Sequence, residues 1–361
     1  MGIDAIRDAL ASGELPSDKK GKSKSMPMVY LGEGSFGLVS QCVSTQIPLL
    51  DRILAKDING QWGLPLGRSV FIAGKPSSGK TTLSLHLCAE VQAKGGLAIY
   101  IDGERKLDRL YAARLKVSVD DLILGEPYSL EDILEIVKHR LAMIRKMKNT
   151  KEFSEHLSDL PIIIVVDSTS IATRAEREAG SGSGGKGEHA RLLSKFFRDV
   201  IPDVKDLDVL LVFVCQIKSK IQMGWHGGHG NQETFLGEEA IRFQSTIGLR
   251  TQRIKIVKDS DGDRIGDVVL FRTVKNQVAN PMQECEVDLY YGKGLDRYGS
   301  LCDMLVNFYG ARKKQGGNFE LKKLGLTWKG RRGLKNLFKS DPKIEEEINK
   351  LISTPVRIKV P

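Results

Sequence analysis

Residues 74–81 read Gly-Lys-Pro-Ser-Ser-Gly-Lys-Thr, a complete G-x-x-x-x-G-K-[ST] pattern. The apolar run Val70-Phe71-Ile72-Ala73 leads into it, and a helix-like stretch from Thr82 to Lys94 follows. That strand–loop–helix setting separates a phosphate-binding loop from an ordinary glycine-rich turn. Gly74 and Gly79 let the backbone bend around a pyrophosphate, whose oxygens meet N–H groups at a helix N-terminus. Lys75, Pro76, Ser77 and Ser78 fill the loop between them, and Thr82 opens the helix. Lys80 is placed to reach the β- and γ-phosphates, and Thr81 to put its hydroxyl on Mg²⁺. The expectation is a nucleotide site.

At 361 residues the chain has room for one large domain with appendages, or for two to three modules. No stretch approaches the ~18–20 apolar residues of a membrane span. The longest apolar runs, 161–166 and 209–215, have the length of buried strands. The opening MGIDAIRDALASGEL carries charges throughout and lacks a signal region. Ile6 stands where a myristoylated Gly2 would call for Ser or Thr. Cysteines 42, 88, 215, 285 and 302 form no C-x-x-C pair and read as free thiols of a reducing compartment. A soluble, cytoplasmic protein is expected, in a bacterial cell or, for a phage-encoded chain, in its host.

The net charge of +10 is uneven. Residues 310–361 hold fourteen Lys and Arg against five Asp and Glu, a net +9, which leaves about +1 for the rest. A basic unit on a near-neutral body points to a polyanion, most simply nucleic acid. A solvated basic surface without a specific ligand is the plainer alternative.

Ile3, Ile6 and Leu10 stand at helical spacing on a helix too small to be stable alone, and residues 16–28 form a polar linker. From 29 to 309 apolar strands alternate with helical stretches, the sign of a largely parallel α/β sheet. The strands are expected at 69–73, 97–102, 161–166 and 209–215, then at 245–257, 267–276 and 283–291, the last three with hairpin character. Helices are expected near 106–116, 129–148 and 187–200. Two glycine-rich segments, 180–187 and 224–230, follow strand C-terminal ends, where α/β proteins build their sites. Residues 31–39, LGEGSFGLV, imitate a protein-kinase glycine loop, but the V-A-I-K, H-R-D and D-F-G partners are missing. A dinucleotide-binding reading also fails, for want of a βαβ unit ending in an acid. The stretch reads as a turn between linker and core.

Strand 161–166 ends in Asp167, where a phosphate-loop ATPase keeps the carboxylate of its Mg²⁺ shell. Strand 97–101 ends in Asp102-Gly103-Glu104. Hydrolysis needs a base that polarises a water in line with the γ-phosphate, and Glu104 suits that role. A helix N-terminal acid complementing the macrodipole is the other reading, and fits Asp102 better. Gln216, after strand 209–215, is either a γ-phosphate sensor or a plain polar strand terminus.

Together these residues resemble the RecA-type strand-exchange recombinases and their phage relatives, over about residues 30–350. The resemblance is carried by Ser44-Thr45 with Leu50-Asp51, and by Gly63-Leu64-Pro65-Leu66-Gly67-Arg68 entering the phosphate-loop strand. It continues through Tyr100-Ile101-Asp102-Gly103-Glu104, Leu107-Asp108, Tyr111-Ala112 and Val165-Val166-Asp167-Ser168. Gln216-Ile217, Val274-Lys275-Asn276, Tyr291-Gly292-Lys293-Gly294 and Tyr298-Gly299 complete it.

The resemblance implies an α/β ATPase core at 29–309, an N-terminal oligomerisation helix and linker at 1–28, and a small basic α+β C-terminal unit at 310–361 that binds DNA. It implies ATP with Mg²⁺, filaments on single-stranded DNA, pairing with duplex DNA, and single-stranded-DNA-binding and mediator proteins as further partners. Glu104 matches the catalytic glutamate, and Gln216 the nucleotide-sensing glutamine. Asp108 and Tyr111 match residues that hold adenine, and Tyr291-Gly292 would touch the nucleotide from the adjacent subunit. Lys275 matches a lysine reaching across the interface to the γ-phosphate, so that hydrolysis and assembly would be coupled.

The glycine-rich segments fall where the two DNA-binding loops would lie, near 177–190 and 217–238. Lys186, Arg191 and Arg198 lie within or after the first, and Lys218, Lys220, Arg242 and Phe243 flank the second. Cationic groups there neutralise phosphate without reading sequence. Trp225 either stacks on a base or is buried as its loop folds, and His226 with His229 make a poor metal pair on a glycine loop. Gln277 replaces a second trans lysine, and Arg357-Ile358-Lys359 stands where bacterial members end in an acidic tail. A DNA motor or helicase of the same fold and a non-catalytic accessory paralogue are the rival functions. Intact Lys80, Glu104 and Asp167 speak against the second.

Overall fold

Val70–Ala73 and residues 162–166 are apolar at every position, which fits strands covered on both faces. The computed structural model, which describes residues 38–151, 159–174, 176, 185–219, 233–235 and 239–353, places both at the centre of a ten-stranded sheet. Three short strands, β1 (Cys42–Val43), β2 (Ala55–Lys56) and β3 (Trp62–Pro65), first form a small antiparallel sheet around helix α1 (Pro48–Arg52). There the Asp51 carboxylate accepts from Thr45 N at 2.7 Å, Thr45 Oγ1 at 2.6 Å and Ser44 Oγ at 2.6 Å. Burial nevertheless outweighs these bonds and raises its pKa to about 7.

The main sheet contains β4 (Ser69–Gly74), β5 (Leu97–Asp102), β6 (Ile123–Gly125), β7 (Ile162–Asp167) and β8 (Val209–Ser219). After β9 (Glu233–Phe235) come β10 (Ile247–Lys258), β11 (Arg264–Asn276), β12 (Glu284–Tyr290) and β13 (Gly294–Leu295). The order is β13-β12-β11-β10-β4-β8-β7-β5-β6, with β9 paired to β8. Strands from β10 to β6 run parallel, whereas β10 to β13 form an antiparallel meander. The expected hairpin character of the last three long strands is this meander.

Helices cover both faces. On one face α2 (Lys80–Ala93) packs Leu83, Leu85 and Leu87 with Val70, Ile72, Ile163 and Val165. On the other, α4 (Leu130–Lys148) and α5 (Gly185–Asp206) pack on Phe71, Ala73, Ile162, Ile164 and Val166. Alternate residues of β4 and β7 thus feed two separate cores, as the pleat requires. Between them α3 (Arg109–Arg114) is capped by Asp108, and α6 (Glu239–Gln244) precedes β10.

Three boundaries differ from expectation. The helix expected at 106–116 begins only at Arg109, because Asp102 Oδ2 accepts from Leu107 N at 2.7 Å and holds the preceding residues in a loop. The helix expected to end near residue 200 continues through Pro202 to Asp206, since Val200, Val204 and Leu207 extend its buried stripe. Strand β8 runs on to Ser219, so Gln216 lies within it rather than at its end.

The chain closes with α7 (Arg297–Phe308), the sheet β14 (Arg312–Lys313), β15 (Asn318–Leu321) and β16 (Leu326–Lys329), then α8 (Leu334–Ser340) and α9 (Pro342–Ser353). Phe319, Leu321, Trp328 and Phe338 join the same apolar cluster as Leu301 and Leu305 of α7. Arg331 donates to Asp288 Oδ2 at 2.8 Å and also to Asp303, fastening this unit to β12 and α7. The basic surplus of the tail is therefore partly spent on internal ion pairs. The five cysteines are free and buried. No helix among the described residues is long and apolar enough to cross a membrane.

Candidate nucleotide site

The phosphate loop joins β4 to α2, with Gly79 at φ +87° as the residue before the helix, a conformation glycine adopts without strain. Gly74 must also lack a side chain: a Cβ there would lie 2.2 Å from Thr251 Oγ1 and 2.5 Å from Ser78 Oγ. Those two hydroxyls are hydrogen-bonded at 2.6 Å and tie the loop to β10. Lys80 Nζ donates to the Lys75 carbonyl at 2.9 Å, across the loop whose centre would carry the phosphates.

Thr81 Oγ1 donates to Asp167 Oδ2 at 2.7 Å, so the hydroxyl and carboxylate expected around Mg²⁺ do meet. One or two protein oxygens with the remaining positions left to water and phosphate is the donor set Mg²⁺ takes, and this pair fits it. Tyr100 Oη also donates to Asp167 Oδ2, at 2.7 Å, an orienting contact the sequence reading missed. Burial raises the Asp167 pKa in spite of the bonds from Tyr100 and Thr81. Among the described residues no group of three or more His, Cys, Asp or Glu is arranged to hold a metal ion.

Glu104 lies two residues beyond β5 and accepts three side-chain donors. Lys106 Nζ stands at 2.9 Å from Oε2, while Ser168 Oγ at 3.1 Å and Gln216 Nε2 meet Oε1. Partial burial alone would raise the carboxyl pKa, but the bonds from Lys106, Ser168 and Gln216 together hold it below the ordinary glutamate value. The group is ionised at neutral pH, as a base must be. Asp102 is buried and spent on the Leu107 amide, so it complements no helix terminus.

A cavity of about 410 Å³ opens beside the loop, lined by residues 77–82 on one side and by Arg253, Arg264, Asp267, Leu289 and Tyr291 on the other. Tyr291 is thereby a neighbour of its own chain's phosphate loop, its hydroxyl donating to Asp267 Oδ2 at 3.0 Å. Tyr291 thus lies at its own chain's cavity, whereas the expectation for Tyr291-Gly292 concerned an adjacent subunit's nucleotide. The cause is the meander, which brings β12 back alongside β11 in the same sheet as β4. Gly292 follows at φ +68°. Asp108 Oδ1 accepts from Leu110 N at 2.8 Å and Tyr111 N at 3.1 Å, capping α3, and Tyr111 Oη meets Thr82 Oγ1 at 2.8 Å. Both stay at the loop's helical side.

Lys275 is not at its own chain's loop. It pairs across β10 with Gly248, which pairs with Phe71, three residues before Gly74 and so about 10 Å down the strand. Its Nζ donates to the carbonyls of Arg242 at 3.1 Å and Phe243 at 2.7 Å. Burial, with the Arg242 charge second, holds its ammonium pKa below the usual lysine value. Arg191 and Arg198 are exposed seven residues apart on α5, and Arg242 is exposed beside Phe243, itself 73% exposed. The side chains of Lys186 and Lys218, and all of Lys220, Trp225, His226 and His229, lie outside the described residues. So do the N-terminal helix, the linker, Arg357–Lys359 and most of the 31–39 turn.

A parallel sheet with a phosphate loop at its centre, a carboxylate on the next strand but one and a glutamate beyond it defines a nucleoside-triphosphate-binding protein of the α/β class. The comparisons make the assignment specific. The model of the RecA N-terminal domain matches residues 30–296. The Protein RecA of Anaplasma marginale (strain Florida) is 37% identical over 311 residues, covering 86% of this chain and 79% of the relative. That of Chlorobium chlorochromatii is 34% identical over 352 residues, covering 97% and 88%, and that of Gluconobacter oxydans 36% over 295, covering 81% and 79%. The chain belongs to the RecA family of recombinases.

Proposed function

We propose that the chain hydrolyses ATP in a DNA-dependent manner, assembles as a helical filament on single-stranded DNA, and pairs that strand with homologous duplex in recombination and repair. The observation that carries this reading is the Glu104 carboxylate, ionised and held by Gln216 from the strand that leads into the second expected DNA loop. Glu104 accepts the proton of a water aimed at the γ-phosphate, while Lys80 and the loop N–H groups hold the phosphate oxygens. Thr81 and Asp167 would hold Mg²⁺, which when bound would neutralise charge on the phosphates. Tyr111, Tyr291 and Gly292 border the rest of the nucleotide, with Asp108 fixing the turn that carries Tyr111.

Lys275, too far from its own loop to serve it, completes a neighbour's site when subunits stack. Its reach supports coupling between assembly and turnover. Arg191, Arg198, Arg242 and Phe243, with Lys186, Lys218, Lys220 and Trp225, bind the DNA backbone and bases inside the filament. Residues 1–28 dock on the next subunit, 29–309 form the ATPase core, and 310–361 add a basic surface for duplex.

The test is ATP turnover with and without single-stranded DNA for the wild type beside Glu104→Gln. Strong stimulation of the wild type is expected, with a loss of about 10²–10⁴-fold in the variant and DNA binding retained. Normal hydrolysis by Glu104→Gln would remove the base from this mechanism.

A further inference from the structure

Arg264 opens β11, at the meander end nearest the phosphate loop, and its side chain is committed to two partners. Its Nη2 donates to Asp267 Oδ1 at 2.5 Å, and its guanidinium lies 5.6 Å from the centroid of the Tyr291 ring. Asp267 is buried, its side chain 4% exposed, and also accepts from Tyr291 Oη; Arg253 stands 3.9 Å away. Arg264 and Tyr291 remain 43% and 49% exposed and both line the cavity beside the phosphate loop. A planar donor group, oriented by Asp267 and lying over an aromatic ring, is thus held at the wall of that cavity.

We propose that Arg264 is a nucleotide-binding residue that holds the nucleoside end of the ligand rather than its phosphates, with Asp267 as its positioning residue. The proposal rests on the nucleotide reading of the phosphate loop. Two observations select the nucleoside end. The cavity holds Lys80 and Thr81 of the phosphate loop, but the residues that line it with Arg264 include the aromatic Tyr291 and the apolar Leu289, surfaces that suit a base or ribose better than a phosphate. Asp267 also fixes the Arg264 guanidinium in direction at 2.5 Å, so that it is held over the Tyr291 ring rather than free to turn toward the phosphate loop. A guanidinium laid on an aromatic ring offers stacking and directional hydrogen bonds, the means by which planar bases and ribose hydroxyls are held.

The test measures equilibrium binding of ADP, ATP and inorganic tripolyphosphate to the full chain without DNA, for the wild type, Arg264→Ala, Arg264→Lys and Lys80→Ala. Arg264→Ala is expected to weaken ADP and ATP about tenfold and to leave tripolyphosphate unchanged. Arg264→Lys keeps the charge without the planar face and is expected to resemble Arg264→Ala. Equal weakening of tripolyphosphate, full rescue by Arg264→Lys, or ADP binding unchanged in Arg264→Ala each overturn the proposal. Wild-type ADP binding by Lys80→Ala overturns the nucleotide reading itself, a failure separate from that of Arg264.

Discussion

Gln216 of β8 and Glu104, two residues beyond β5, follow strands that do not touch, since β7 lies between them, yet the Gln216 amide donates to Glu104 Oε1. The bond closes over the end of β7, where Ser168 donates to the same oxygen. A carboxylate oxygen so engaged is oriented, and it is also withheld from a water. Whatever draws the Gln216 amide away changes the availability of the base, and β8 continues from Gln216 toward the second expected DNA loop.

Replacement of Gln216 by Ala is therefore expected to uncouple turnover from DNA. The ratio of ATPase rates with and without single-stranded DNA falls to about one, because the amide contributes both the restraint and its release. Steady-state assays at saturating ATP measure that ratio. Wild-type stimulation in Gln216→Ala would show that the coupling runs elsewhere.

The Lys106 ammonium is exposed and can be removed without disturbing a core. It supplies the leading pKa-lowering contact on Glu104, against the desolvation that acts the other way. Lys106→Ala should then raise the Glu104 pKa and move the acid limb of the kcat profile to higher pH. Stability follows the same sign. A carboxylate with a depressed folded-state pKa adds stability above its unfolded value near 4.5, lost as pH falls through the folded value. An acid limb unmoved in Lys106→Ala would mean that Ser168 and Gln216 suffice to keep the carboxylate ionised.

What the sequence made legible was local. The central strands were readable because both faces are buried, so their residues are apolar without interruption. The phosphate loop was readable because glycine, lysine and threonine are each demanded by backbone or phosphate chemistry. Contacts set by strand order were not. Tyr100 reaches Asp167 as a diagonal pair between β5 and β7, since Tyr100 faces Val165 and Asp102 faces Asp167. Tyr291 belongs to its own chain's cavity because of an antiparallel meander whose return path no motif encodes. Arg331 counted toward a DNA-binding surplus by composition, and in the fold it is held by Asp288 and Asp303.

Tyr100 offers a check on the metal assignment. Its hydroxyl holds Asp167 from behind while Thr81 approaches the same oxygen, the arrangement of a partner that orients a metal-binding carboxylate. Tyr100→Phe keeps the buried ring and removes only the hydroxyl. The Mg²⁺ concentration for half-maximal ATPase is expected to rise about tenfold, with ADP affinity in the absence of metal unchanged. An unaltered Mg²⁺ midpoint would exclude Asp167 orientation as the role of this bond.

Lys322, Lys323 and Lys339 are exposed on the C-terminal unit, whereas Arg331 and Arg332 pair with Asp288, Asp303 and Asp296. If this unit binds duplex, the exposed lysines carry the contact and the paired arginines carry the docking. Truncation at Tyr309 would strip Phe319, Leu321 and Phe338 from a shared core, so point substitutions are the cleaner probe. The triple Lys→Ala variant should lose duplex affinity, and its slope of log K against log salt should shrink by about 0.9 per phosphate contact removed. Arg331→Ala should instead lower the melting temperature. A triple variant with the wild-type salt slope would move duplex capture to another surface of the filament.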